Sequence, residues 1–346
     1  MKTTNEQLKK SVALRNLLNS DSRHYKFNDE VIDSWGKEYH RLDHDIKLLR
    51  FAEDQMGAYS DCFVLYAIAC LGVADQESIR MFLRALRDNC AGVTIMDVDN
   101  PDYVRERLKA LVGLGFIFKF HYTVDALNSE GEVIPNGVTL FTIDPGGQTF
   151  MNKVLEKRTV VHEWIQAKPI FELVGWAACS YVAGRVINAG KFIEARQGVF
   201  ATKIVGTVFM PGMFKMLVDG QEAYIGFINA FLHRGKGMET ASDYEKRCEY
   251  MVTVISQYFY NRDKKHVLNR LVVVVENNAD LVEIADWINK DGSLVEDYDR
   301  LYFTGEGAMR YVHDIRNAFL QMKKETGKKE GTNEGYSFVP VVPDFL

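Results

Sequence analysis

The sequence predicts an α+β chain in which a run of helices closed by a β-hairpin precedes a second, mixed α/β unit. Three observations predict it. Apolar residues recur at helical spacing through most of residues 44–112. Two strand-like runs, Phe116 to Tyr122 and Val138 to Ile143, flank a polar turn. Beyond residue 150, Val-rich runs alternate with helical stretches. At ~150 residues per domain, 346 residues make about two domains. The expected division is an arm over 1–43, a first domain over 44–150, a second over 151–322 and a tail over 323–346.

Residues 1 to about 40 are polar around one short apolar stretch, Val12 to Leu18, and read as a mobile or docking arm. From His44 to Leu71 two helices are expected, separated by a break at Gly57. Gly72-Val73-Ala74-Asp75 is a turn ending in an N-cap, and Ile79, Phe82, Leu83 and Leu86 mark the next helix. Asn100-Pro101-Asp102 opens a third, with Val104, Leu108, Leu111 and Val112 as its apolar stripe and Gly113 and Gly115 as its stop. Residues 125–137 then turn the chain between the two hairpin strands.

The second unit opens with a helical stretch from about Val154 to Asn188, broken near Lys168-Pro169. Strands follow at Lys203 to Phe209, Met213 to Val218 and Ala223 to Phe231, with Asp219-Gly220 a strong hairpin signal between the last two. A helix from Ser242 to Tyr260 and a buried strand from Val267 to Val275 come next. Ala279 to Ile288 reads as helix, Arg300 to Phe303 as a short strand, and Met309 to Met322 as a closing helix.

Composition narrows the function classes. The 42 Lys+Arg against 47 Asp+Glu leave a net charge of -5, and neither half of the chain, divided after Phe150, has a basic excess. Any nucleic-acid contact must come from a local patch. The five cysteines form no C-x-x-C pair, so a disulfide framework and a zinc ribbon are not expected. His40 and His44 are four apart but have no third metal ligand in view. No apolar run approaches the ~18 residues of a bilayer-spanning helix, and the first residues lack a signal peptide's apolar segment, so a cytoplasmic protein without membrane contact is expected. No cofactor is implied.

Helices followed by a hairpin give the order of a winged helix, whose last helix enters the major groove while the hairpin reaches the backbone or the minor groove. The helix beginning at Asn100 leaves Tyr103, Arg105, Arg107 and Lys109 off its apolar stripe, with Asp99, Asp102 and Glu106 opposing them. The three cations are candidates for phosphates or guanine edges. Lys119 and His121 on the first hairpin strand add to the candidate surface. The alternative is a solvated face of a protein-interaction module. Arg234-Gly235-Lys236-Gly237 is a basic loop able to touch phosphate, without the full Walker pattern.

A three-stranded meander followed by a helix and a strand resembles the core of restriction-endonuclease-like nucleases, whose metal chemistry needs acids and a lysine on neighbouring strands. Here Gly212 and Gly226 stand where acids are wanted. Asp219 and Glu222 lie in or beside a hairpin turn, where turn chemistry explains them; a metal-dependent nuclease built on them is a third reading. Lys246 and Tyr250 share a helix face after the strands, and Tyr258, Phe259 and Tyr260 end that helix; both groups read as structural.

On element order and on Leu111 to Phe118, Leu140 to Gly146 and Val208 to Tyr250, the chain resembles the replication-relaxation family of plasmids and other bacterial mobile elements. The resemblance spans about residues 44–290. It implies an N-terminal winged helix followed by a degenerate restriction-endonuclease-like α/β domain, and binding of double-stranded DNA in replication or transfer, with no catalytic residue carried over. Lys323, Lys324, Lys328 and Lys329 read as a solvated linker. The apolar end Tyr336 to Pro343 is suited to dock on a sheet edge of its own chain or of a protein partner, and an oligomer is compatible with either.

Overall fold

Helices α1 (Gln55–Leu71), α2 (Gln76–Asn89) and α3 (Pro101–Gly113) open the main body of the computed structural model, followed by the hairpin β2 (Ile117–Leu127) and β3 (Val133–Ile143). A two-residue strand from the arm, β1 (Val31–Ile32), pairs antiparallel with β2 at His121 and Phe120. The structure describes residues 31–32, 55–90, 95, 97–113, 115–127, 133–144, 146–148, 170–196, 199–202, 206–209, 213–230, 241–260, 269–324 and 335–346.

Local chemistry sets these elements. Asp75 caps α2 by accepting the Ser78 amide at 2.7 Å, with Glu77 in the first turn and Arg87 in the last, each sign placed to favour the helix dipole. Pro101 is the first residue of α3, where its missing N–H costs nothing, and the Asn100 side chain accepts from the Asp102 amide at 3.0 Å. The chain leaves α3 through Gly115, whose φ of 72° is left-handed. Between α1 and α2 the segment at Ala74 bridges β3, with two hydrogen bonds of 3.0 and 2.8 Å exchanged with Phe141. Three chain segments therefore line up at the base of the hairpin: Ala74, β3 and β2.

Next come α4 (Ile170–Ala189), β4 (Phe192–Arg196), a separate hairpin β5 (Val199–Thr202) and β6 (Gly206–Phe209), and then β7 (Met213–Val218) and β8 (Gln221–Asn229). Helix α5 (Ala241–Tyr260) leads to β9 (Arg270–Val275), and α6 (Asn278–Asp291) to β10 (Leu301–Gly305). A short α7 (Glu306–Tyr311), β11 (Phe319–Lys324) and β12 (Tyr336–Val341) complete the chain. One seven-stranded sheet has the order β12-β11-β10-β9-β8-β7-β4. β8, β9 and β10 run parallel and the other pairings are antiparallel. All six residues of β9 are buried, as its Val-rich run requires of a central strand.

Helix α4 is apolar around most of its circumference because it is covered on several sides. Gly184 lets it approach α2, since a Cβ there would meet the Met81 side chain at 3.0 Å; Gly175 likewise lets it approach Asn229 of β8, at 2.9 Å. Ser180 donates to the carbonyls of Leu71 and Val73, and Arg185 donates to the Met309 carbonyl at 2.7 Å. Phe82 of α2 meets Phe192 of β4 and Phe214 of β7 edge-on at 6.0 and 5.9 Å, so one apolar core runs from the first helices into the sheet.

Several elements differ from the sequence expectation. Helix α1 begins at Gln55 and passes through Gly57 without a break. Cross-strand pairing continues to Leu127 and Val133, with Asp125 opposite Pro135, so the hairpin is longer and its turn shorter than the Gly/Pro signals imply. The expected closing helix from Met309 to Met322 is instead α7, a 3₁₀ turn at Ile315–Asn317 and strand β11. There Asp314 accepts the Arg316 amide, and Phe319, Leu320 and Met322 are buried in the sheet. Lys323 and Lys324, expected in a linker, end that strand with exposed side chains. The tail docks on its own chain: β12 pairs with β11 along its whole length. Strands β4 and β5 had no sequence signal of their own. Residues 44–54 and 151–169, where further helix was expected, lie outside the described residues.

Candidate nucleic-acid interface

Helix α3 and the β2–β3 hairpin enclose a half-open cleft of about 820 Å³. Its lining includes Arg105, Glu106, Lys109, Ala110 and Gly113 from α3, Lys119 from β2, Thr139 and Phe141 from β3, and Gln76 from the start of α2. Period-two alternation explains why the hairpin presents this face. Lys119 lies opposite Phe141 and His121 opposite Thr139, whereas Phe118, Phe120 and Leu140 point the other way and pack with Val73, Leu173 and Trp176. The hairpin's polar face thus looks onto α3 and its apolar face is clamped by α4.

The cations expected to act together on α3 separate into two kinds. Arg107 turns inward: its guanidinium grips the carboxylate of Asp61 on α1 through two hydrogen bonds, the Nε bond at 2.6 Å, and Asp61 is 2% exposed. A cation committed to a buried carboxylate is a structural tie between helices, because moving it onto a phosphate strands that charge. Arg105 is 62% exposed beside Asp102 at 3.2 Å and Glu106 at 3.8 Å, loose surface pairs that a phosphate can displace. Lys109 is exposed and makes no ion pair among the described residues. Tyr103 is partly buried and packs against the apolar core.

On the hairpin, Lys119 lines the cleft, and exposed His121 meets the Thr139 hydroxyl through Nδ1 at 3.0 Å. The His121 ring also lies over Gly137, where a Cβ would approach it to 3.1 Å. Arg234 and Lys236 lie outside the described residues, as do His40 and His44. The cleft therefore brings together Arg105, Lys109 and Lys119 of the expected set, opposed by Glu106. Gln76 and Thr139 are partners the sequence reading missed. Gln76 donates to the Pro101 carbonyl at 2.7 Å, fixing the start of α3, a contact 25 residues away in sequence with no local signal.

A second basic row, Arg80, Arg84 and Arg87 on α2, is neutralised. Asp99 accepts from Arg84 at 2.7 Å and Arg87 at 2.6 Å, and Glu77 holds Arg80. The Arg87 and Arg84 hydrogen bonds pull the Asp99 carboxyl below its ordinary range.

In the sheet, Asp219 sits in the β7–β8 turn with φ 49° beside Gly220 at 78°, the mirror-image turn that a two-residue hairpin favours. Glu222 pairs with Lys215, whose ammonium it holds above the ordinary lysine range. Met213 and Gly226 face each other in register across β7 and β8. Lys246 and Tyr250 lie on the exposed side of α5, and Tyr258 is buried, its hydroxyl donating to the Arg270 carbonyl at 3.1 Å. Among the described residues no group of three His, Cys, Asp or Glu side chains is placed to hold a metal ion, and no helix is long and apolar enough to cross a membrane. No protein-family model, no curated protein and no solved structure matches the chain.

Proposed function

We propose that the protein binds double-stranded DNA through α3 and the β2–β3 hairpin, as a cytoplasmic, non-hydrolytic component of plasmid or mobile-element replication or transfer. One observation carries this reading: Arg105 and Lys109 of α3 and Lys119 of β2 line a single cleft on a molecule whose net charge is -5. The order α1, the Ala74 bridge to β3, α2, α3 and then the hairpin is that of a winged helix, which supports a nucleic-acid role. Arg107 leaves the contact set and becomes the tie that holds α3 in place.

The order α4, β4, β7, β8, α5, β9, with β9 parallel to β8, supports the resemblance to a restriction-endonuclease-like core and, through it, to the replication-relaxation family. The fold analogy raises the prior on DNA as ligand without assigning chemistry. Asp219 and Glu222 are absorbed by the turn and by Lys215, so a hydrolytic reading has little to stand on.

The test is fluorescence anisotropy of a labelled duplex titrated across salt. Each cation that neutralises a phosphate contributes about 0.9 to the slope of log K against log salt. Arg105→Ala, Lys109→Ala and Lys119→Ala combined should flatten that slope by between two and three such increments, and Arg107→Ala should leave it unchanged. Absence of duplex binding at low salt removes the proposal.

A further inference from the structure

Beyond its cations, the cleft has an interior. Ala110 and Gly113 leave it open on the α3 side, and a Cβ built on Gly113 meets nothing within 4 Å. Phe141, on the hairpin side, is nearly buried and contributes a small apolar surface to the lining. A space of about 820 Å³ lies within the range of pockets that take small organic ligands, whereas a duplex backbone lies across a surface and fills no such interior. Leu108 and Val112 of α3 join Phe141 as the large apolar residues of the cleft's lining. Among the described lining residues Arg105, Lys109 and Lys119 are cationic and Glu106 is acidic, and Asp102 also stands beside Arg105, so the exposed Lys109 is the cation that selects for negative charge.

We infer that this cleft binds a small organic anion, an apolar body carrying one carboxylate or phosphate, with the body between Gly113 and Phe141 and the charge at Lys109. If α3 and the hairpin meet DNA as proposed above, such a ligand consumes the same cations and lowers duplex affinity; that clause alone rests on the duplex-binding reading.

The test uses the full chain and three probes: 2-naphthoate, its neutral counterpart 2-naphthol, and inorganic phosphate, each titrated by calorimetry without DNA. Naphthoate should bind one site with a Kd near or below about 1 mM, the scale expected for a ligand of its size. Naphthol should bind roughly tenfold more weakly because it lacks the charge-assisted bonds, and phosphate should give no saturable heat. Gly113→Trp should fill the cleft and abolish naphthoate binding while circular dichroism stays unchanged. If that variant fails to fold, Lys109→Glu, at an exposed position, should weaken naphthoate by at least about tenfold.

Naphthol binding as tightly as naphthoate, phosphate binding as well as either, or naphthoate binding that is absent or indifferent to both substitutions overturns the inference. Duplex titrations on the same samples separate the two proposals. Naphthoate binding without duplex binding keeps the site and sinks the DNA function; duplex binding without naphthoate binding does the reverse.

Discussion

Replacing Arg107 with alanine should cost stability and leave ligand contacts untouched. The side chain it abandons, Asp61, is 2% exposed, and removing one partner of a buried pair typically costs about 3–5 kcal/mol because the other charge stays desolvated. The Arg107 side chain is 29% exposed, so water can follow the deletion in, which places the expected loss near the lower end, about 3 kcal/mol. Urea unfolding followed by circular dichroism reads this as a lower midpoint at unchanged slope. Asp61→Asn added to Arg107→Ala should recover much of the loss, since the stranded charge is gone, giving strong non-additivity. A single-variant loss below about 1 kcal/mol, or a double variant equal to the sum of the singles, refutes the argument that this ion pair is a structural tie. Lys109→Ala, on the same helix but exposed, should leave the midpoint where it is.

Three further outcomes follow from buried groups and a turn elsewhere in the chain. Asp344→Ala should destabilise by about 3 kcal/mol in the same assay, because Asp344 accepts from Arg270 at 3.0 Å and from the Tyr302 hydroxyl at 3.1 Å, and the Arg270 side chain is only 11% exposed. Limited proteolysis should then release the last residues first. At alkaline pH, burial raises Tyr66, Tyr302 and Tyr336 above the ordinary tyrosine range and pushes the Cys248 thiol up to about 11. The unfolded chain loses these protons first, so stability should fall as pH rises from about 9 through 11, and the fully buried Cys248 should react with an alkylating agent only as the protein unfolds. At the β7–β8 turn, Asp219→Asn should be neutral within about 0.5 kcal/mol because asparagine tolerates left-handed φ, whereas Gly220→Ala should lose about 1 kcal/mol; a large loss for Asp219→Asn would give that carboxylate a role beyond the turn.

Elements with a local cause were legible in the sequence. Asp75 as a cap, Pro101 at a first turn, Asp219-Gly220 in a hairpin and the run into Val275 each carry their own signal. Elements decided by distant partners were not. The segment after Met309 has enough apolar residues for a helix, yet β12, from beyond the lysine-rich stretch, pairs with Phe319–Lys324 and makes it a strand. The candidate interface was half legible for the same reason. Helical spacing showed that Arg105, Arg107 and Lys109 leave the apolar stripe. Which of them faces solvent depends on Asp61, 46 residues from Arg107, and nothing in the spacing of α3 reveals an acid on α1. Similarly, Lys119 joined the cleft because its strand is held by Trp176 and Leu173 from the reverse side.

That reverse side bears on any attempt to handle the N-terminal helices and hairpin alone. Phe118, Phe120 and Leu140 are covered by Val73 and by Leu173 and Trp176, the last two beyond position 170, so a polypeptide ending near residue 150 would carry an oily strip on its hairpin. Such a fragment should self-associate, and any affinity measured with it would report clumping as much as recognition. Supplying the helix that bears Trp176, fused or as a separate polypeptide, is the economical remedy.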